Sequence, residues 1–319
     1  MKQPYSTAQV MLRAWAFVLI IGALQGCANL TAVREFGKSA AEVTSYVDAG
    51  NAYQDSARTI QPYLTNAPAR ADVPDARKKQ VAAANALQST LVGYFSTLAQ
   101  LAGEDSFTLD KELDAIALGL KSLPDGTLDT GTTEGAIALT KIAQRLVLSR
   151  AQSSAIKELV NEGGPTATRL LSRLELVAKS WRGMLENDSR TVGDALFALS
   201  SARDTSPLVR MLARDRMQEY EQRYEDFIKR VDTATAALGK IRSAHAAMAE
   251  DLDSLDRKEL QAVLKDTVTD LKAARKNWAS PGFPDTSNDM MCLGGKHAKD
   301  EKSIYGRVQT GSGEAGEAT

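Results

Sequence analysis

Nucleophilic and metal chemistry lean on histidine and cysteine, and this chain of 319 residues has two of each. They are His245, His297, Cys27 and Cys292. A hydrolytic centre needs a base, most often histidine, held against its nucleophile. His245 falls on an apolar helical stripe. It could act there as a buried ligand or pH sensor, or stand as a bundle histidine bonded to a polar neighbour, and the second is expected. His297 follows Cys292 closely, but two ligands cannot close a structural zinc site, which takes four. Asp251, Asp253 and Asp256 cluster at a predicted helix end. A general acid needs burial to raise its pKa, and this trio reads instead as a solvated turn. Gly163-Gly164-Pro165 and Gly294-Gly295-Lys296 lack the spacing of a phosphate-binding loop. Tyr46 with Tyr53, and Tyr220 with Tyr224, could line a groove, but at helical spacing they are expected in the core. No catalytic residue, cofactor or metal is assigned.

The N-terminus carries the one specific motif. Lys2 and Arg13 are the only charged residues before Cys27, and both are positive. Ala14 to Leu24 is an uninterrupted apolar run. A membrane span takes about 20 apolar residues, so this run is too short to cross comfortably and suits the core of a signal peptide. It ends in Leu24-Gln25-Gly26-Cys27. Residues 1–27 thus resemble a bacterial lipoprotein signal peptide, whose lipobox is Leu, a tolerant position, Gly or Ala, then Cys. The resemblance implies diacylglyceryl transfer to the Cys27 thiol and cleavage by signal peptidase II between Gly26 and Cys27. Ala28, not Asp, follows the cysteine, which in that class implies the outer membrane of a Gram-negative cell. One acyl chain anchors a protein marginally, two or three stably. The expected partner at this end is therefore the bilayer, through acylated Cys27. Cys292 is left without an intramolecular disulfide partner.

The remainder must form elements without chemistry of their own. Composition favours helix: there are 48 alanines, while aromatics make up only 6%. Few cysteines argue against a disulfide scaffold, and the net charge of −1 gives no nucleic-acid signal. Prolines divide the mature chain, and between them apolar residues recur at steps of 3 and 4. The stretches run from about Asn29 to Gln61, Pro74 to Ala102, Thr108 to Ser122 and Glu134 to Asn161. The last of these is expected to stop at Gly163-Gly164. A fifth begins at Pro165 and carries Leu171, Leu174, Ala178, Trp181 and Leu185 on one stripe. Asp188 falls on that stripe beside Asn187 and Ser189. A break there is expected, with Asp188 or Ser189 capping a new helix. The sixth has the cleanest seam, through Met217, Tyr220, Tyr224, Phe227, Val231, Ala234, Leu238, Ile241, His245 and Met248. It extends over about six heptads, roughly 65 Å of helix. A seventh, from about Asp256 to Ala279, either continues the sixth or turns back after Asp253-Ser254.

The expected architecture is an all-α, elongated multi-helix bundle of long, heptad-patterned antiparallel helices. It comprises a cleaved signal peptide (1–26), a helical bundle domain (27–279) and a disordered tail (280–319). The leading functional expectation is a non-enzymatic, membrane-anchored scaffold, adaptor or inhibitor that acts through a protein partner. The alternatives are a binding module for a small apolar ligand or lipid, and an enzyme using carboxylates alone. The seams can pair within one chain or between copies of it.

Overall fold

Alanine, leucine and straight-chain charged residues lose little side-chain freedom in a helix, and they dominate the body of this chain. A computed structural model is all-α accordingly, with no strand among the described residues. These are residues 30–43, 47–64, 67–103, 113–114, 116–117, 129–147, 152–255 and 257–278. The expected tail, with Cys292 and His297, lies outside them, as do Gly26, Cys27, Tyr46 and Asp256.

Helix α1 covers residues 30–43 and α2 Val47–Ile60, with a single 3-10 turn, Gln61–Tyr63, after it. Then come α3 (Ala67–Leu101), α4 (Thr130–Val147) and α5 (Gln152–Glu158). The C-terminal half is α6 (Gly164–Ser201), α7 (Pro207–Glu250) and α8 (Lys258–Trp278). The largest interface joins α6 to α7, an antiparallel hairpin. Its register is marked by ion pairs, Arg182 to Asp232 and Arg242 to Glu175, each at 2.8 Å. After α7 the chain turns through Leu252–Ser254, and α8 runs back along α7, where Lys240 meets Asp270 at 2.5 Å. The turn is the solvated corner expected of the aspartates. Asp253 is 95% exposed and pairs with Lys157, while Asp251 pairs with Arg257.

The second half of α3 is buried on nearly every side. Leu87, Leu91, Tyr94, Phe95 and Leu98 are all at 0% exposure. Phe36 of α1 meets Phe95 edge-on at 5.8 Å. Thr90 and Thr97 sit in the same interior without penalty because their hydroxyls donate to the carbonyls of Ala86 and Gly93. Burying a large apolar side chain contributes about 1.5–3 kcal/mol, so this segment supplies much of the driving force for the fold.

Three expectations are corrected. Pro74 does not begin a helix; α3 starts at Ala67 and carries Pro74 inside it. Proline removes one backbone donor, and the neighbouring residues Asp72, Asp75 and Ala76 are exposed, so the helix carries it outside the core. Gly163-Gly164 does not stop a helix. Residues Leu159–Gly163 form a wider π turn that leads straight into α6. A π turn accommodates the ring and missing N–H of Pro165 without breaking the run. Finally, α6 passes through Asn187, Asp188 and Ser189 without interruption. Asp188 caps nothing, because it holds a buried partner described below. At Ser206 the hydroxyl accepts from the Val209 N–H at 3.3 Å, and Pro207 opens α7, as a capping serine followed by proline favours.

Candidate functional site

Two groups of polar side chains are buried among the helices. The first joins α2, α3 and α6. The Arg77 guanidinium on α3 donates to both carboxylate oxygens of Asp188 on α6, at 2.7 and 2.9 Å. The two side chains are 8% and 4% exposed. Arg77 also donates to Ser56 Oγ and, at 3.4 Å, to the carbonyl of Tyr53, both on α2. Its guanidinium lies 4.7 Å from the centre of the Tyr53 ring. Behind Tyr53 the Trp181 ring is stacked at 5.0 Å, with 14° between planes. The Tyr53 hydroxyl donates to Gln80 Oε1 at 2.7 Å and lies 2.6 Å from Met184 Sδ. Burial pushes the Tyr53 hydroxyl above the ordinary phenol range, with Arg77 opposing and Asp188 adding to the shift.

Such a pair survives burial only when both charges are nearly saturated with hydrogen bonds. Arg77 meets that condition through its planar fork. Asp188, with both oxygens committed to Arg77, is held for structure. Tyr224 on α7 is 1% exposed, and its hydroxyl has no hydrogen-bond partner among the described residues. Burial, and after it the negative charge of Asp188, hold that hydroxyl protonated. At the ion pair opens a cleft of about 450 Å³, lined by the apolar Ile60, Leu64, Val73 and Met184 and by the polar Ser180 and Asn187 beside Arg77 and Asp188. That volume lies in the range of small-molecule sites.

The second group joins α3 to α7 at the π turn. Tyr94 Oη and His245 Nε2 are 2.7 Å apart, and both residues are essentially inaccessible to solvent. Phe95 meets the imidazole edge-on at 6.0 Å. The two glycines of the π turn make room for this pair. A Cβ on Gly163 would stand 3.1 Å from Tyr94 Cε2, and one on Gly164 would stand 3.1 Å from His245 Cε1. His245 is the bonded bundle histidine expected from its place on the seam. Its Nδ1 has no partner among the described residues, and burial lowers the ring's pKa to about 4. The imidazole is therefore neutral at pH 7, enclosed, and paired with a phenol that burial keeps protonated. No nucleophile stands in this arrangement, so it reads as a structural bond.

The remaining candidates separate cleanly. Tyr53 and Tyr224 are core residues and Tyr220 is half-buried, its ring edge-on to Tyr63 at 6.1 Å. Among the described residues no group of three or more histidines, cysteines or carboxylates could hold a metal ion. No described helix is long and apolar enough to cross a membrane. A hollow between α2, α3, α6 and α7 amounts to about 20 Å³, too small for a lipid. Sequence reading missed Arg77 as a partner. Its signal was Asp188, an acid on an otherwise apolar stripe, which requires a cation from another helix. No family model, curated protein or solved structure matches the chain.

Proposed function

We propose that this protein is a lipoprotein anchored through acylated Cys27 at the periplasmic face of a Gram-negative outer membrane. Its helical bundle works by binding protein partners, as a scaffold, adaptor or inhibitor, and not by catalysis. The observation that carries the anchored reading is Leu24-Gln25-Gly26-Cys27 behind the apolar run; the start of α1 bears on how close the bundle would sit. Helix is present from residue 30, and Val33, Phe36, Ala40 and Val43 bury it in the core. Three residues of chain reach at most about 11 Å. A lipid on Cys27 would thus hold this end of the bundle against the bilayer, with no long tether to let it range away.

The test is fractionation of cells carrying the full chain and its Cys27→Ala variant, followed by cross-linking and capture. The wild type is expected in the membrane fraction with a reproducible partner, and Cys27→Ala is expected to lose both. Equal membrane retention of the two, or turnover of a cell-envelope substrate by the purified protein, would overturn the proposal. A second reading is favoured by the cleft at Arg77 and Asp188, whose apolar and polar lining suits a small amphiphile. It expects saturable binding of anilinonaphthalene sulfonate that Val73→Arg removes. Undiminished binding in that variant would sink it.

A further inference from the structure

The α6–α7 hairpin ends in a short turn, residues 202–206, whose surroundings differ from the rest of the molecule. All but two of the exposed large apolar residues among those described cluster there: Phe197, Leu199, Leu208, Val209, Met211 and Leu212. Leu176 and Val263 are the others. Phe197 is 62% exposed, Leu208 61% and Met211 60%. The patch does not form a single stripe. At about 100° per residue, positions 208, 209, 211 and 212 cover roughly 160° of the α7 circumference. Ala213, on a further side, is buried. Arg210 and Arg214 fall on the side of the helix opposite this arc, and a helix with one apolar face and one basic face suits the interfacial plane of a bilayer.

Charge favours the same occupant. Between residues 197 and 214 the charged residues are Arg203, Arg210 and Arg214 against Asp204, although the chain as a whole is net negative. Arg203 and Arg214 are exposed and Arg210 half-exposed. Arginines around an apolar tip match a membrane surface with anionic headgroups, which attracts basic residues held within a Debye length of it.

The position of the turn gives this a geometric meaning. Phe36 of α1 packs on Phe95, and Phe95 on His245, near the C-terminal end of α7. The start of α1 therefore sits at the end of the hairpin opposite the turn. The two ends are separated by the length of α6, about 57 Å. We infer that the apolar, arginine-flanked end of the α6–α7 hairpin is a membrane-docking tip that inserts into the interface of an anionic bilayer. It does so independently of any lipid on Cys27. Together with such an anchor it would lay the hairpin along the bilayer by two-point attachment, each contact raising the effective concentration of the other.

Hydrogen exchange of the full chain, followed by mass spectrometry, tests the tip locally. Vesicles of phosphatidylglycerol with phosphatidylethanolamine are compared with phosphatidylcholine vesicles and with buffer alone. Residues 197–212 are expected to exchange several-fold more slowly on the anionic vesicles, with the effect weakened on phosphatidylcholine and at high salt. Leu208→Gln with Met211→Gln removes that slowing, while unchanged exchange in α3 shows that the variant is folded. Phe197→Gln, on the other helix, gives the same loss. Because the readout is confined to the tip, attachment through residues 14–24 or Cys27 does not produce it. Identical exchange at the tip with and without anionic vesicles overturns the inference. So does vesicle-independent slowing that grows with protein concentration, which would assign the tip to a second copy of the chain.

Discussion

At Arg77 and Asp188 two opposite charges share a space from which water is nearly excluded, and each depends on the other for its solvation. Deleting one partner leaves the other buried and unpaired, which costs about 3–5 kcal/mol. Asp188→Ala is accordingly expected to lower unfolding free energy by that amount in urea titration. Arg77→Met combined with Asp188→Leu should recover most of it, because an apolar pair needs no compensation. If Asp188→Ala is as stable as wild type, the pair is not desolvated as described. His245 gives a pH dependence. The unfolded ring takes its proton near the ordinary value of 6.5, whereas the folded ring resists until about 4. Between those limits the unfolded state binds more protons, so stability is full above pH 6.5 and declines as pH falls toward 4. The decline attributable to this ring is on the order of 3 kcal/mol. His245→Gln should flatten that part of the profile, measured by denaturant unfolding at pH 7 and pH 4.5. Parallel profiles for the two proteins would remove His245 from the account.

At the scale of elements, close helix approach distinguishes one glycine from another. Gly37 lies where α1 crosses α3, and a Cβ there would fall 2.8 Å from the backbone N of Ala99 and the carbonyl O of Phe95. Backbone cannot rotate out of the way as a side chain can, so Gly37→Ala must separate the helices. A cost of about 1–3 kcal/mol is expected. Gly239 in α7 has nothing within 4 Å of its would-be Cβ. There alanine only removes the entropic penalty of glycine in a helix, and Gly239→Ala should stabilise by about 0.5–1 kcal/mol. Thermal melts of the two variants should move in opposite directions. The helix pattern itself was open to sequence reading, since seam positions Val231, Ala234, Leu238, Ile241, His245 and Met248 are all buried. The interior of α3 was open only in part. Its periodic stripe, Val81, Ala84, Leu87, Leu91, Tyr94, Leu98 and Leu101, is buried as the spacing indicates, but Ala83, Thr90, Gly93, Phe95 and Thr97 are buried on its other sides, and a stripe argument assigns one face only.

Over the whole molecule, stability is unevenly distributed. Tyr63 meets Tyr220 and Arg77 meets Asp188. From there toward the turn, the buried residues of the hairpin are Val192, Leu196, Ser200 and Ala213 alone. The opposite end holds Tyr94, Phe95, Phe36 and His245. Segments with few buried apolar contacts open at lower free energy. Native-state hydrogen exchange in buffer should therefore show residues 190–216 opening well before α3 and the second half of α7. Simultaneous opening of both regions would mean that the hairpin end is as tightly held as the core. A loosely held, apolar end is also what a surface-docking element requires, since it must adapt to a fluid partner.

The sequence by itself determined that the chain is helical, where most helices lie, and that His245 belongs to a seam. Each of these follows from local spacing, proline and glycine, whose effects reach only a few residues along the chain. It also supplied the lipobox-like segment, a pattern read by residue type without reference to a fold. Only the tertiary structure decided that Asp188 meets Arg77, that Gly163 and Gly164 open room for Tyr94 and His245, and that α8 turns back along α7. It likewise placed the start of α1 and the apolar hairpin turn at opposite ends of α6. These are pairings between residues as much as 151 positions apart. They depend on which helices become neighbours, and no local periodicity specifies that choice.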